Sequence, residues 1–214
     1  MGDQAFYRPG DQQSQAIADA GESVALPYID DTAVHVADGS FYDGDERLCS
    51  VEALRLPGAH NIDNACAAIS ASLEYSGVTA AAIEEGLRSF RGLPHRLHFV
   101  REINEVKYYD DSIATTPGSA IAALNAFTQP KVLILGGSYK GSDFSKLAET
   151  LAKQEDVRVL LIGEEAPRLV AAFQAVFFDH FEIILDPTME KVVRHAAEIA
   201  EPGSVVLLSP AAAS

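Results

Sequence analysis

The chain has 214 residues, with 31 Asp and Glu against 16 Lys and Arg, a formal net charge of -15. That balance excludes a nucleic-acid binder, which needs a basic footprint, and argues against affinity for anionic membrane surfaces. Apolar residues make up 48% and charged residues 22%, so there is enough apolar surface for a core, and extended disorder is excluded over most of the length.

No run reaches the roughly 18 apolar residues of a membrane span. The opening Met-Gly-Asp-Gln-Ala-Phe has neither the basic nor the apolar region of a signal peptide, and position 6 lacks the Ser or Thr of a myristoylation pattern. Cys49 and Cys66 match neither a zinc knuckle nor a redox pair and read as reduced thiols of a cytoplasmic protein.

Residues 1–22 read as polar and irregular. Short β-type runs follow at Ser23–Pro27, Thr32–Ala37 and Leu48–Leu56, separated by Asp30-Asp31, Asp38-Gly39 and Asp43-Gly44-Asp45. They are too few to close a core and leave open edges, so disorder or edge pairing is the expectation over 1–49. Ile62, Ala65, Cys66, Ile69 and Leu73 predict a helix over 60–76 with Gly77 as its stop. A second helix over 79–89 is capped by Thr79, and the chain leaves it through Gly92. Arg91-Gly92-Leu93-Pro94 marks the predicted boundary between a domain over 1–92 and another over 93–214.

Past the boundary the pattern changes. Leu97–Ile103 and Val106–Tyr109 form a hairpin around Asn104-Glu105. Apolar runs at Lys131–Leu135, Val157–Ile162, Phe181–Leu185 and Ser204–Leu208 then alternate with helical stretches: one from Pro117 to Phe127, then Ser145–Lys153, Glu164–Val176 and Pro187–Ala200. The alternation predicts an α/β fold, a mostly parallel sheet with helices on both faces. Right-handed crossovers place all C-terminal strand ends on one edge, where such sheets bind ligands.

Three segments fall on that edge. Asp110-Asp111-Ser112-Ile113-Ala114-Thr115-Thr116-Pro117 opens a helix with Thr116 as cap and Pro117 at the first position. Its free N–H groups suit a carboxylate or phosphate, although a plain capped helix with a solvated Asp pair explains it as well. Leu135-Gly136-Gly137-Ser138-Tyr139-Lys140-Gly141 allows close backbone approach, with Lys140 as the strong cation of the edge. It matches no phosphate-loop pattern, and a Gly-rich turn with a surface lysine is the alternative. Ser209-Pro210-Ala211-Ala212-Ala213-Ser214 reads as a strand-to-helix turn with a second open helix N-terminus. The chain stops there as if cut, the alternative being a frayed end. Together, the hydroxyls of Thr115 and Ser214, the ammonium of Lys140 and two helix N-termini make a site for a small anion.

A fourth segment, Leu56-Pro57-Gly58-Ala59-His60-Asn61-Ile62-Asp63-Asn64, sets Asn61 and Asn64 three apart on one helix face. Their amides can pair with an adenine edge or serve as caps. His60 and His95 read as structural. His35, His98, His180 and His195 show no metal-ligand spacing.

His60-Asn61-x-x-Asn64-Ala65, Gly92-Leu93-Pro94-His95-Arg96-Leu97, Asp111-Ser112-x-Ala114-Thr115, Gly136-Gly137-x-x-Lys140 and Leu208-Ser209-Pro210-Ala211-x-Ala213-Ser214 occur in that order. Together they resemble the Mur ligase family, well over about 50–214 and loosely before. The resemblance implies that 1–92 is the tail of a central α/β ATP-binding domain and 93–214 most of a Rossmann-like C-terminal domain.

It also implies an ATP-dependent amide ligase of peptidoglycan synthesis that adds D-glutamate to UDP-N-acetylmuramoyl-L-alanine through an acyl phosphate, with Mg²⁺. Asn61, Asn64, Arg96 and Asp111 would contact the nucleotide, and Thr115, Lys140 and Ser214 the carboxylates of D-glutamate. No residue of this chain is implied as catalytic or as a metal ligand. The partners implied are small molecules alone, for a monomeric cytoplasmic enzyme that neither binds nucleic acid nor inserts into a membrane. Ile113 stands where some members carry Lys, so a phosphate contact there is missing. Ala212 replaces a Cys of others. The alternatives are another amino-acid ligase of the family and a non-catalytic nucleotide- or amino-acid-binding remnant.

The family's phosphate loop, carbamylated lysine and Mg²⁺ ligands are expected upstream of Met1, and a segment closing the amino-acid pocket after Ser214. The 214 residues alone are therefore expected to be inactive. D-glutamate-dependent phosphate release by the purified chain is the assay, and turnover would refute the expectation.

Overall fold

Short polar elements set out the first part of the chain in the computed structural model, which describes residues 3–75, 77–185 and 188–213. Inter-residue contacts divide it into one unit up to Arg91 and a second from Gly92, the position of the Arg-Gly-Leu-Pro stretch.

In the first unit, β1 (Gln4–Tyr7) is followed by α1 (Gln12–Ala20) and β2 (Val24–Pro27), which pairs in parallel with β1. Asp11 caps α1 by accepting the Ser14 N–H at 2.7 Å. Strand β2 is the predicted run Ser23–Pro27, whereas β1 and α1 go unannounced in the sequence: α1 buries only Ala18, leaving no apolar period to read. Three antiparallel strands come next: β3 (Val34–Ala37), β4 (Ser40–Asp43) and β5 (Glu46–Ser50). Strand β4 fits between two Asp-Gly turns, and its Phe41 is wholly buried. Over the described residues of 1–49, the expected disorder or edge pairing resolves into strands paired with one another. After β5 a single 3-10 turn, Val51–Ala53, replaces the predicted continuation of the strand, with Ser50 accepting the Glu52 N–H.

The helices α2 (Ala59–Leu73) and α3 (Ala80–Ser89) close this unit, α3 capped by Thr79 as its sequence predicts. Their apolar faces join Val34, Phe41, Leu48 and Cys49 in one core through Ala65, Cys66, Ile69 and Ile83. Both cysteines are free and buried, and burial pushes the Cys66 thiol up to about 11, which makes it a packing residue.

The second unit is the predicted α/β sheet. Its strands are β6 (His98–Ile103), β7 (Val106–Asp110), β8 (Lys131–Gly137), β9 (Val157–Gly163), β10 (Phe181–Ile183) and β11 (Val205–Leu208). The helices are α4 (Pro117–Asn125), α5 (Ser145–Leu151), α6 (Ala166–Ala175) and α7 (Met189–Ile199). Strand order is β10-β9-β8-β11-β7-β6, parallel throughout except for β6 at the edge. The β6–β7 turn places Asn104 and Glu105 at φ 50° and 62°, the geometry of a two-residue hairpin.

From β7 the chain skips one position to β8 and moves outward to β10, then returns to insert β11 between β8 and β7. A constant crossover hand requires the return helix to lie on the opposite face. Burial agrees. Leu133, Leu135, Val159, Leu161 and Leu207 pack with residues of α4, α5 and α6. Val132, Ile134, Leu160 and Val206 pack with Val192 and Ala196 of α7. Alternate residues of the same strands thus face two different helix layers, so these strands are apolar without interruption.

Among the described residues no helix is long and apolar enough to cross a membrane.

The C-terminal strand ends approach more closely than any side chain allows. A Cβ on Gly136, at φ 109°, would sit 1.9 Å from the Ile162 carbonyl oxygen, and one on Gly137 2.2 Å from the Ala213 carbonyl oxygen. Both neighbours are backbone and cannot rotate away. Gly136→Ala is accordingly expected to destabilise the second unit by at least about 1–3 kcal/mol, read by urea unfolding, from the disfavoured φ alone.

Candidate functional site

Parallel pairing sets Leu208 level with Asp110 of β7 on one side and Ile134 of β8 on the other. Three chain segments therefore leave the sheet side by side at its C-terminal edge: 111–117 after β7, 138–142 after β8 and 209–213 after β11. They are the three segments singled out in the sequence.

Asp111 lies at the base. Only 4% exposed, it accepts the Leu97 N–H at 3.0 Å on one carboxylate oxygen and the Ser209 hydroxyl at 2.7 Å on the other. It ties the segment before β6 to the segment after β11. Beside it Asp110 accepts the Ser112 N–H at 2.9 Å and meets Nδ1 of His95 at 2.7 Å. Burial pushes the Asp110 carboxyl up. The bonds from Ser112 and His95 outweigh it and hold the group below the ordinary carboxylate value. His95 is thus a structural partner, as the sequence suggests. It and Leu97 take φ of 64° and 42°, the sharp turns that carry the chain past this carboxylate pair.

Thr115 is half-buried, one residue before the α4 cap. Its N–H goes to the Ile113 carbonyl at 2.8 Å, and its hydroxyl makes no hydrogen bond among the described residues. Thr116 caps α4 by accepting the Ser119 N–H, with Pro117 at the first position. The predicted open helix N-terminus at this edge is present.

The second is not seen among the described residues, which reach Ala213. Residues 209–213 form no helix; they cross the edge with a bend at Ala211 and Ala212, Ala211 taking φ 58°. Pro210 accepts the Gly136 N–H, Ala211 donates to the Ala114 carbonyl, and Ala213 bridges Ser138, accepting its N–H; each bond measures 2.8 Å. Small residues suit this stretch because the backbones touch. Ser214 lies outside the described residues.

The glycine-rich segment spends its amides internally. Ser138 donates to Ala213, Tyr139 to the Glu164 carboxylate at 3.1 Å and Lys140 to the Glu165 carboxylate at 2.8 Å. Three consecutive N–H groups that could have cradled a phosphate are thus committed within the protein, in keeping with the missing phosphate-loop pattern. What the loop offers is the side chain of Lys140, exposed and with no ion pair or hydrogen bond among the described residues. Lys140 does not stand alone as the strong cation of this edge. Arg96 is exposed two residues before β6, and Arg168 stands in the first turn of α6, bound to Glu165. The sequence reading missed Glu164, Glu165 and Arg168. The signal was a pair of acids directly after the terminal glycine of an apolar strand.

Asn61 and Asn64 belong to the first unit, at the start of α2. Asn61 donates to the Pro57 carbonyl at 2.8 Å, and its amide oxygen faces Nδ2 of Asn64 at 3.4 Å. The Asn64 amide oxygen and one of its N–H bonds remain uncommitted among the described residues, so this exposed residue can still meet a donor–acceptor edge. Among the described residues no group of three or more His, Cys, Asp or Glu side chains is placed to hold a metal ion.

Residues 95–212 match the family model described as Mur ligase, glutamate ligase domain. The chain is similar to UDP-N-acetylmuramoylalanine–D-glutamate ligase of Caldanaerobacter subterraneus subsp. tengcongensis, 39% identical over 86% of this chain and 40% of that protein. It is similar to the protein of the same name from Caldicellulosiruptor bescii, 42% identical over 74% of this chain and 34% of that protein. The chain therefore spans well under half the length of these relatives. In fold it is similar to the bifunctional folylpolyglutamate synthase/dihydrofolate synthase of Yersinia pestis complexed with AMPPNP and a Mn ion, with TM-score 0.65 and 22% identity over 95% of this chain and 49% of that one.

Ser209→Ala leaves Asp111 short of a donor in a buried setting. It is expected to cost about 1–3 kcal/mol in urea unfolding of the second unit, while an Asp111→Asn, Ser209→Ala pair costs less than the sum of the single changes.

Proposed function

The chain belongs to the Mur ligase family, and we propose that it supplies the amino-acid-binding part of an ATP-dependent ligase that adds D-glutamate to UDP-N-acetylmuramoyl-L-alanine in peptidoglycan synthesis. The observation that carries this reading is Lys140: its ammonium, without an ion pair or hydrogen bond among the described residues, stands at the C-terminal sheet edge that also carries Thr115, whose hydroxyl is likewise unbonded among them, and the N-terminus of α4. Around that core stand relatives at 39% and 42% identity whose name specifies D-glutamate.

The chemistry follows from the charges. Lys140 and Thr115 hold carboxylate oxygens of the incoming amino acid, with Ser214 assigned to them on its motif alone. Charge-assisted bonds of this kind position a substrate without changing it. The amine, left free, then attacks an acyl phosphate made from the other substrate's carboxylate and ATP, and ADP and phosphate leave. On the first unit, Asn64 meets the adenine edge, steadied by Asn61. On the second, Arg96 is assigned to the ribose and its surroundings. Asp111 is assigned there too, although both its oxygens already accept internal bonds, so it acts mainly by fixing the backbone that carries Arg96 and Leu97.

ATP and a divalent metal fit the AMPPNP- and Mn-bound structure of similar fold. The described residues hold no ligand set for the metal. The enzyme is assigned to the cytoplasm, with small molecules as its partners.

The alternative is a ligase of the family that takes a different amino acid. A panel of amino acids on the ligase carrying this chain separates the two: D-glutamate is the expected substrate, and preference for another amino acid overturns the assignment.

In that ligase, Lys140→Ala removes one charge-assisted contact worth roughly 1.5–3 kcal/mol. KM for D-glutamate should therefore rise by at least about tenfold, with KM for ATP unchanged within about twofold. Equal losses for both substrates would overturn the role given to Lys140.

A further inference from the structure

Glu165 is a charged residue wholly buried at the edge that the proposed function uses, and nothing in that function explains it. Burying a carboxylate is costly unless donors surround it. Here they do. One oxygen accepts the Lys140 N–H at 2.8 Å, and Nη1 of Arg168 reaches both oxygens, at 3.2 and 3.0 Å. The same guanidinium donates through Nη2 to the Ser142 carbonyl at 2.7 Å and lies over the rings of Tyr139 and Phe144, 5.3 and 5.6 Å from their centres. Glu164, the preceding residue, takes the Tyr139 N–H.

Loop 138–142 is therefore held on both sides of Lys140. Ser138 is bridged to Ala213, the Tyr139 and Lys140 amides end on two consecutive carboxylates, and the Ser142 carbonyl is fixed by the arginine that neutralises one of them. Gly141 follows Lys140 at φ 73°, so the loop has no intrinsic stiffness at this point. The order comes from β9 and α6, through Gly163, which a Cβ would drive to 2.7 Å from the Gly137 carbonyl oxygen.

We propose that Glu165, with Arg168, is a positioning residue for amino-acid binding: the pair fixes the backbone of Lys140 so that its ammonium meets the substrate carboxylate in a single pose. It touches no substrate itself. The inference rests on the role given to Lys140 above. The geometry explains why a carboxylate and not an apolar residue occupies this buried position: only an acceptor that also recruits Arg168 ties residues 140 and 142 at once.

The test uses the ligase carrying this chain. Glu165→Ala should raise KM for D-glutamate at least tenfold and leave KM for ATP within twofold. Glu165→Gln, whose amide oxygen still accepts the Lys140 N–H, should recover to within about threefold of the parent. Placed on a Lys140→Ala background, Glu165→Ala should add less than twofold, because its effect travels through that lysine. A merely structural role would instead lower kcat and raise both KM values together, with no rescue by Gln and full additivity; that pattern overturns the proposal. If Glu165→Ala does not fold, Arg168→Met, at a partly exposed side chain, carries the same expectations, and unchanged KM values there also overturn it. If Lys140→Ala leaves KM for D-glutamate untouched, the function assigned to Lys140 fails first. If Lys140→Ala raises it and Glu165→Ala does not, the positioning role alone fails.

Discussion

Backbone contact without side chains at the C-terminal edge of the second sheet is the constraint on which the rest of this structure depends. Gly136 and Gly137 meet the carbonyls of Ile162 and Ala213 at distances that a methyl group would close. Loops from β8, β9 and β11 can touch only because of that approach. Through those contacts the Gly136 amide reaches Pro210, the Ser138 amide reaches Ala213 and the Glu165 amide reaches the Gly137 carbonyl. Glycine here serves contact between segments of the protein itself. The same residue type in a phosphate-binding loop serves contact with a ligand, and where the amides of the loop end decides between the two.

Buried carboxylates complete what the glycines begin. Asp111 and Glu165 are 4% and 0% exposed, and each joins segments far apart in sequence: 97 with 209, and 140 with 168. Neither is a free charge awaiting a ligand. The acidic balance of the chain, with 31 acids, could suggest cation binding. At this edge its buried members act as acceptors for backbone, hydroxyl and guanidinium, while Lys140 and Arg96 stand exposed. An anionic substrate can thus be met by a strongly acidic protein, because the field at a site is set by the groups that face it and not by the net charge.

The second unit was legible in its sequence almost element by element. Apolar strands buried on both faces leave an unbroken signal, and helices with one buried stripe leave a periodic one. Thr79 and Thr116 cap helices where their sequence says they should. The first unit was less legible for a physical reason. The runs that became β2, β3 and part of β5 were readable, but β1, β4 and a helix burying one alanine carry too little pattern to be told from loop. The stretch 209–213 is legible in another way: Ser-Pro-Ala-Ala-Ala suits a helix start and a tight crossing equally, and the bonds to Gly136, Ala114 and Ser138 make these five residues a crossing.

The site shows the same division between what type and spacing can say and what only tertiary contact can say. Lys140 and Thr115 stood out because an ammonium and a hydroxyl after two strands of a parallel sheet fall on one edge whatever the details. Glu165 could not stand out, since its meaning lies in a residue 25 positions earlier that the β8–β9 register alone brings within reach. Asp111 was found for its place in a motif, yet its observed bonds describe a structural hub, with any ligand contact added to that duty. A residue that carries both duties tolerates less change than one that carries either. Replacing Asp111 would move Leu97 and Ser209 before a ligand could register the loss, so effects at Asp111 on nucleotide use have to be separated from effects on the fold that presents Arg96 and Lys140.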